Sequence, residues 1–453
     1  MLEKSLCEIE TTVNRSMVSI LWTFNNNTND VYNTYNGVAI NSASYITGYT
    51  GLDSGALSLN GSSSQYVKVD DPVFEFTYRS FTIEIWFYPT LLTTGDFGLF
   101  GHCKAMETDQ CLTMTIRNNR ISCGFYNGLC SSKGCSFEDE ILFPVDDLSS
   151  TTNITINRWY YLVFAYDYSS STQYLYLNGH LEGNQVSKKY LGENRPMTIG
   201  ATGTDPSHFF YGSIEQLSLT TLVKSANEIF YTATFVCHYS FDTVPYVNTG
   251  PWSLTSSSIG VTPAVGIGRV NDAVSFTSLN SYFIANGFSV LGASSQAYSM
   301  VLWIKPTSVA GGSIVYVSQC NTNCASNWCM PSIGFTLSGK IVIQSWSSTS
   351  GGTLITLTGP NLFVNVWTHL AYVYSPTNGL LLYLNGILFQ QSTVFSNLGS
   401  GSTNYIYFGN FPLTVCSQTA GLISATQYYG MIDEFYLFAR ELTATEVNTL
   451  ANP

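Results

Sequence analysis

The sequence predicts an all-β protein made of two tandem copies of one domain, each a β-sandwich or a barrel. The sequence of one predicted hairpin occurs twice in similar form. The two copies are NRWYYLVFAYDYSSSTQYLYLNGHLEG, from Asn157 to Gly183, and NVWTHLAYVYSPTNGLLLYLNGILFQQ, from Asn365 to Gln391. The rest of the 453-residue chain consists of short apolar runs that alternate with polar residues and are separated by turn residues. Two domains of roughly 200 residues fit both the length and the repeat.

The repeated hairpin contains the strongest strand signals. Its first strand is Leu162–Tyr166 in one copy and Leu370–Tyr374 in the other, each following a Trp. Its second strand ends at Asn178-Gly179 or Asn385-Gly386. Asn-Gly tolerates the positive φ angles of a tight reversal, so a turn is predicted after each second strand.

The opening and central strands extend the repeat. SILWTFNNN alternates as a half-buried strand should, and CHYSFDTV, Cys237–Val244, is its counterpart. The central strands RSFTIEIWFYPT and AYSMVLWIKPT place Trp86 and Trp303 217 residues apart (303 − 86), the same offset as Phe24 and Phe241. Both central strands are apolar on both faces, so we expect each sheet to be covered on two sides, and each strand should end at its Pro.

Each copy closes with a Gly-led strand, YGSIEQLSLT or YGMIDEFYLFAR, followed by a short helix. The helices are predicted from capping boxes that begin at Ser225 and Thr443. We therefore expect an N-terminal extension over 1–17, a first domain over 18–233 and a second over 234–453. Because no Gly/Ser linker separates them, the domains should sit in a fixed relation.

Composition restricts the class of protein. Charged residues make up 10% of the chain, against about 25% in an average soluble protein, and the net charge is -12. A nucleic-acid partner is excluded by that charge, and no apolar run is long enough to span a membrane. The 11 cysteines and the sequons at Asn14, Asn26, Asn60 and Asn153 favour an extracellular protein whose signal peptide is not in this sequence; a cytosolic protein is the alternative.

The motifs W-x-x-L-A-Y-x-Y, L-Y-L-N-G and G-x-I-D-E-x-x-L-F followed by a capped helix resemble the laminin-G-like, concanavalin A-like jelly-roll family. The resemblance covers nearly the whole chain in two copies. It implies two antiparallel sheets of six or seven strands packed face to face in each domain. It implies little about the ligand, since relatives bind sugars or proteins.

The sequence favours a protein that is not an enzyme. Glucanases of this fold carry E-x-D-x-E on one strand, which puts three carboxylates on one face, and that triplet is absent here. Asp433-Glu434 is the nearest acidic pair, and adjacent strand residues point to opposite faces. The five scattered histidines are interpreted as structural or surface residues: His102, His180, His208, His238 and His369.

Calcium is the cofactor that the resemblance implies, since many relatives hold one ion beside the first and closing strands. The matching residues in the second domain are Asp242, Asp272, Asp433 and Glu434. The first domain offers a weaker set, Asn25, Asp53 and Glu215. The alternative is that these side chains cap turns and solvate loops.

The cysteines fall in loops. Cys103 and Cys320 align at the 217-residue offset, and Cys111 and Cys329 follow them, which suggests one hairpin-stapling disulfide per domain or, alternatively, free thiols. A loop cluster and a long-range pair complete the disulfide candidates: Cys123, Cys130, Cys135, Cys324 and Cys416. Since 11 is odd, one thiol lacks a partner within the chain, and Cys7 is the candidate.

Four aromatic residues predicted on loops are candidates for stacking on sugar rings: Tyr126, Trp252, Trp328 and Trp346. We therefore expect an extracellular, calcium-supported binding protein for a glycan or glycosylated partner. The alternative is a matrix or filament subunit that assembles through sheet edges or disulfides. A third option is a cell-adhesion fragment of a longer receptor.

Overall fold

The computed structural model describes most of the chain. The described residues are 17–50, 54–102, 111–125, 146–187, 189–190, 195–202, 208–251, 254–321, 328–348, 352–410 and 421–453. They form an almost entirely β structure of four antiparallel sheets in two sandwiches.

The first half contributes fifteen described strands and one helix, α1 (Ala226–Thr234). The strands are β1 (Ser19–Trp22), β2 (Val38–Ile40), β3 (Ser44–Ile46), β4 (Ala56–Leu59), β5 (Tyr66–Val69), β6 (Phe81–Pro89), β7 (Asp96–His102), β8 (Leu112–Arg117), β9 (Arg120–Phe125), β10 (Asp146–Asn153), β11 (Tyr160–Asp167), β12 (Thr172–Leu177), β13 (His180–Val186), β14 (Met197–Ile199) and β15 (Gly212–Thr220).

The second half contributes another fifteen described strands and helix α2 (Ala444–Leu450). The strands are β16 (Phe235–Tyr239), β17 (Ser256–Ile259), β18 (Thr262–Ala264), β19 (Ala273–Phe276), β20 (Tyr282–Phe288), β21 (Tyr298–Pro306), β22 (Ser313–Ser318), β23 (Cys329–Phe335), β24 (Lys340–Trp346), β25 (Leu354–Asn361), β26 (Thr368–Ser375), β27 (Gly379–Leu384), β28 (Ile387–Gln391), β29 (Asn404–Phe408) and β30 (Gly430–Phe438).

The two halves repeat one topology. In the first half, sheet A has the order β13-β12-β11-β6-β15-β4-β3 with β1 paired to β15, and sheet B has the order β10-β9-β8-β7-β14-β5-β2. In the second half, sheet C has the order β18-β19-β30-β21-β26-β27-β28 with β16 paired to β30, and sheet D has the order β17-β20-β29-β22-β23-β24-β25. Sheets A and C thus have eight strands rather than the six or seven that the resemblance implied.

The repeated hairpins are confirmed. Strand β11 pairs with β12, and β26 pairs with β27. The Asn-Gly turns lie where predicted, with φ 51° and 84° at Asn178 and Gly179 and φ 49° and 80° at Asn385 and Gly386. The central strands β6 and β21 end at Pro89 and Pro306 and are buried on both faces, as the apolar pattern required.

The helices are confirmed with their caps. The Ser225 hydroxyl accepts a hydrogen bond from the Glu228 amide, and the Glu228 carboxylate accepts one from the Ser225 amide. Thr443 and Glu446 make the same reciprocal pair at α2. Among the described residues, no helix is long and apolar enough to cross a membrane.

The two halves are in direct contact. Helix α1 leads straight into β16, and the predicted division at residues 233–234 falls at this junction. Trp86 and Tyr161, on the outside of sheet A, belong to the same buried cluster as Val236 and the second-half core. The carbonyl oxygen of Thr50 lies 1.8 Å from the point where a Cβ on Gly287 would stand, so the backbones of the two halves touch there.

Candidate functional site

Three of the four predicted calcium residues of the second half, Asp242, Asp272 and Asp433, lie around one loop, 266–272. Asp433, in β30, accepts hydrogen bonds at Oδ2 from the amides of Arg269 (2.7 Å) and Val270 (3.0 Å). Asp242 accepts from the amide of Asp272, whose own carboxylate accepts from Gly266. The pKa of Asp433 is raised to about 7, mainly because the carboxyl group is buried.

Glu215 plays the same part in the first half. Strand β15 aligns Glu215 with Trp86, and β30 aligns Asp433 with Trp303. The Glu215 carboxylate accepts hydrogen bonds from the Tyr49 amide and the Thr50 hydroxyl. Burial raises its pKa to about 7, despite these hydrogen bonds.

Each loop that is hydrogen-bonded to one of these carboxylates also packs on the Trp of the central strand. The Tyr49 ring stacks on Trp86 at a centroid distance of 4.3 Å, and the Arg269 guanidinium lies 4.5 Å from the Trp303 ring centroid. In both halves, therefore, the acid of the closing strand ties down a loop that packs on the central strand.

This arrangement does not fit a calcium site. Calcium takes six to eight oxygen ligands, usually including several carboxylates. The Asp433 oxygens are occupied by backbone amides, since Oδ1 accepts from Glu434. Glu434 turns toward His238 (3.0 Å) and Tyr436. Among the described residues, no group of three or more His, Cys, Asp or Glu side chains could hold a metal ion. Asn25 is half-buried in a turn, and Asp53 lies outside the described residues.

One predicted disulfide residue is corrected by the structure. Cys123 is a free thiol, because β9 directs its side chain into the first core. Cys237, on β16, is also buried and free. Burial raises the pKa of both thiols well above the ordinary value, so neither is reactive. Cys7 and five of the other candidates lie outside the described residues: Cys103, Cys130, Cys135, Cys324 and Cys416. Cys111, Cys320 and Cys329 take part in disulfides, and which cysteine each of them bonds stays a prediction.

Neither of the two predicted stacking residues that the structure describes lies on an open platform. Trp346 belongs to β24 rather than to a loop and is buried. Trp328 is half-buried against the second core. Tyr126 and Trp252 lie outside the described residues. Of the predicted glycosylation sites, Asn26, Asn60 and Asn153 are exposed, and Asn14 lies outside.

Sheet D carries an aromatic patch that the sequence analysis missed. Tyr282 and Ile284 of β20, Tyr405 and Tyr407 of β29 and Tyr316 of β22 form a cluster separate from the core, which we call the tyrosine face. Register places Ile284 beside Tyr407, and Tyr407 beside Tyr316, so the patch crosses three neighbouring strands. It lies on the side of sheet D that faces away from the core.

The tyrosine face combines buried and accessible rings. Tyr407 and Tyr316 are buried, whereas Tyr282 and Tyr405 are half-buried. The rings of Tyr282 and Tyr407 are 5.9 Å apart, and the Tyr407 hydroxyl donates to the Asn321 carbonyl. Burial raises the pKa of Tyr407 and Tyr316 above the ordinary value, so both hydroxyls stay protonated.

Within the described residues, three central positions of the tyrosine face are not apolar or aromatic in the first half. Register places Lys68, Thr198 and Gly101 on sheet B where sheet D has Ile284, Tyr407 and Tyr316. A comparison of the two copies strand by strand could have found this difference. Tyrosine is also common in strands for packing reasons alone, so the pattern within the second copy does not by itself indicate a binding surface.

The part of the sequence that forms the tyrosine face contains very few charged residues. Between Asp272 and Asp433 the only charged residues are Lys305 and Lys340. Strands β20, β22 and β29 therefore contain no charged side chain. The tyrosine face suits a ligand that offers hydroxyl groups and apolar ring faces rather than charge.

A family model described as the concanavalin A-like lectin/glucanases superfamily, of the laminin G type, matches residues 60–230 and 276–448. A search of curated proteins gave no match. Similar solved structures include the receptor-binding domain of botulinum neurotoxin type G, with 17% identity, a TM-score of 0.34, and coverage of 48% of this chain and 50% of the other. The chain thus spans about half the length of that domain.

Two further similar structures were solved with sugars. Domain 4 of AbnA, an extracellular arabinanase from Geobacillus stearothermophilus in complex with arabinotriose, has 19% identity and a TM-score of 0.33 and covers 48% of this chain and 98% of its own. The CBM40 of the Ruminococcus gnavus IT-sialidase, bound to alpha2,3 sialyllactose, has 18% identity and a TM-score of 0.28, with coverage of 35% and 84%. At these TM-scores neither similarity bears on the ligand of this chain.

Proposed function

Because the chain belongs to the concanavalin A-like lectin/glucanases superfamily, we propose that it is a non-catalytic binding protein for a neutral glycan or a glycosylated partner. The observation that carries the proposal is the tyrosine face, with half-buried Tyr282 and Tyr405 on adjacent strands. The apolar face of a sugar ring stacks on such rings, and phenol hydroxyls bond its hydroxyl groups.

Polar groups border this surface. Asn286 lies opposite Tyr405 in the β20–β29 register, and its amide donates to the Thr255 hydroxyl at 3.0 Å. Its Oδ1 is buried and accepts no hydrogen bond within the described part of the chain. The Asn286 amide thus keeps an unused acceptor beside a half-buried ring, and a sugar hydroxyl reaches it only if the side chain turns toward the surface.

The proposed location is extracellular. Support comes from the low charge, the 11 cysteines and the exposed sequon residues Asn26, Asn60 and Asn153. Calcium support, which the sequence analysis expected, is left out of the proposal because the acids do not fit a calcium site within the described residues.

The test compares variants of the two accessible rings on a glycan array and by calorimetry. Wild type is expected to bind selected neutral glycans, and Tyr405→Ala and Tyr282→Ala each to weaken binding about tenfold without lowering the melting temperature. The control is Tyr78→Ala, which removes a 58% exposed Tyr from the first half. No binding by wild type, or variants that bind as wild type does, would overturn the proposal.

A further inference from the structure

A long stretch of the second half lacks charge altogether. Residues 341–432 contain no Asp, Glu, Lys or Arg, although the chain as a whole carries a net charge of -12. This stretch supplies β25 to β29 and the loops between them. Charged residues are depleted at the centres of protein interfaces, because each charge that is buried must be desolvated.

Strand β28 is the exposed edge of this neutral region. Within the described part of the chain, β28 pairs with β27 alone and ends sheet C. All five of its residues are exposed, and three are apolar: Ile387 (70%), Leu388 (44%) and Phe389 (52%). An apolar strand with one unpaired edge is a template for another strand.

More apolar residues lie at the same end of the second sandwich. The loop that leads into β26 exposes Phe363 (80%), Val364 (47%) and Val366 (49%). The Asn385 amide, in the turn just before β28, donates to the His369 carbonyl near the start of β26, which places this loop and β28 at one end. The exposed apolar residues of that loop and of β28 thus lie at the same end of the second sandwich.

The equivalent edge of the first half is built differently. Strand β13 has the same place in sheet A, with Leu181 in register with Tyr176 as Leu388 is with Tyr383. Its Glu182 accepts hydrogen bonds from the amides and hydroxyls of Thr151 and Thr152 in β10. A charged residue on an edge strand prevents unwanted pairing. In β28 the contact with the facing sheet is neutral, since Gln390 Oε1 accepts a hydrogen bond from the Thr358 amide of β25, so β28 lacks the charge that protects β13.

We propose that β28 is the contact strand of a homodimer, in which the β28 strands of two copies pair antiparallel about a two-fold axis. A two-fold axis brings the same patch of each copy together, so the patch must complement itself. A neutral strand meets this condition, and it lets two copies of net charge -12 approach where their repulsion is weakest.

The size of the patch indicates a weak dimer. Its six apolar side chains and the backbone of β28 cover on the order of 500 Å2, below the ~800 Å2 that each partner buries in a standard interface. Association should therefore depend on concentration. The inference does not depend on the proposed glycan binding, since β28 belongs to sheet C and the tyrosine face to sheet D.

The experiment is sedimentation equilibrium of the full chain over about 1 to 100 μM, with two pairs of variants. Leu388→Lys and Ile387→Lys are expected to raise the dimer dissociation constant at least about tenfold, because each puts a charge in the interface. Leu181→Lys and His180→Lys, at the matching positions of β13, should leave it unchanged.

Amide hydrogen exchange supplies a readout that needs no variant. The β28 amides should exchange more slowly at high concentration than at low concentration, and the β13 amides should exchange equally at both. A wild type that stays monomeric over the whole range would overturn the proposal. A dimer whose dissociation constant is the same in all four variants as in wild type would also overturn the proposal. So would a dimer in which the β28 amides exchange at the same rate at low and high concentration.

Discussion

Glu215 and Asp433 hold equivalent places in the two halves and make equivalent bonds. Each lies in the closing strand, in register with the central Trp, and each accepts hydrogen bonds from a loop that packs on that Trp. The residue after each has a positive φ, 50° at both Gln216 and Glu434, at a register shift in the strand. We call each of these contacts a loop clamp: Glu215 with the loop at Tyr49 and Thr50, and Asp433 with the loop 266–272. Both halves of the chain have a loop clamp, and in it the acid stabilises the fold.

The clamp predicts a stability that falls as pH rises. Burial raises the pKa of Glu215 to about 7, above its ordinary value of 4.5. The folded state therefore holds a proton that the unfolded state has lost, and stability declines as pH rises from about 4.5 to about 7. Glu215→Gln should remove this part of the slope, worth about 3 kcal/mol across the range.

Urea titrations from pH 4.5 to 8 check this prediction. Asp433→Asn, at the second clamp, should remove a similar part of the slope. If either variant keeps the full wild-type slope, the carboxyl that it replaces does not titrate as its burial implies.

Buried His369 predicts a slope of the opposite sign. The His369 side chain is fully buried and its ring packs against Trp303. Within the described part of the chain, neither ring nitrogen has a hydrogen-bond partner. Burial lowers its pKa to about 4 from 6.5. Stability that is present above pH 6.5 is therefore lost as pH falls toward 4, by about 3 kcal/mol.

His369→Phe should flatten this acid limb, as measured by thermal unfolding between pH 7 and 4. His102 is buried and its pKa is likewise lowered to about 4, so the variant retains that contribution. An acid limb identical to that of wild type would show that His369 is not buried as described.

The contact between the halves predicts a strong effect of a single methyl group. Gly287 has φ +103°, and a Cβ there would stand 1.8 Å from the Thr50 carbonyl oxygen. Gly287→Ala should destabilise the protein by about 3 kcal/mol or more, because it combines backbone strain with a clash between the halves.

Gly266→Ala is the matched control. Gly266 also has a positive φ, +67°, but no atom of the described residues lies within 4 Å of the place where its Cβ would stand. Strain alone should cost about 1 kcal/mol in guanidinium unfolding. Equal losses in the two variants would mean that the halves do not touch at Gly287.

Calcium is tested by the same unfolding experiments. A bound ion at 100 times its Kd would add about 2.7 kcal/mol to stability. Because the Asp433 carboxylate is already occupied by amides, we expect millimolar calcium and excess chelator to give the same melting temperature. A rise of several degrees with calcium would contradict this expectation.

The repeat, the hairpins, the strand ends at Pro89 and Pro306 and the two capped helices could be predicted from the sequence. Each depends on contacts within a few residues, such as the Asn385-Gly386 turn or the bond between Thr443 and Glu446. Local backbone preferences and side-chain periodicity are enough to determine such features.

Only the tertiary structure decided what the side chains on those strands do. Asp433 clamps a loop 164 residues earlier in the chain, and nothing near it in sequence distinguishes that role from metal binding. A period of two places Tyr405 and Tyr407 on one face of β29, but packing decided that this face turns away from the core while Ile406 points into it. Burial and long-range hydrogen bonds are properties of the packed sheets. The strands could therefore be predicted from the sequence, whereas the surfaces that they form could not.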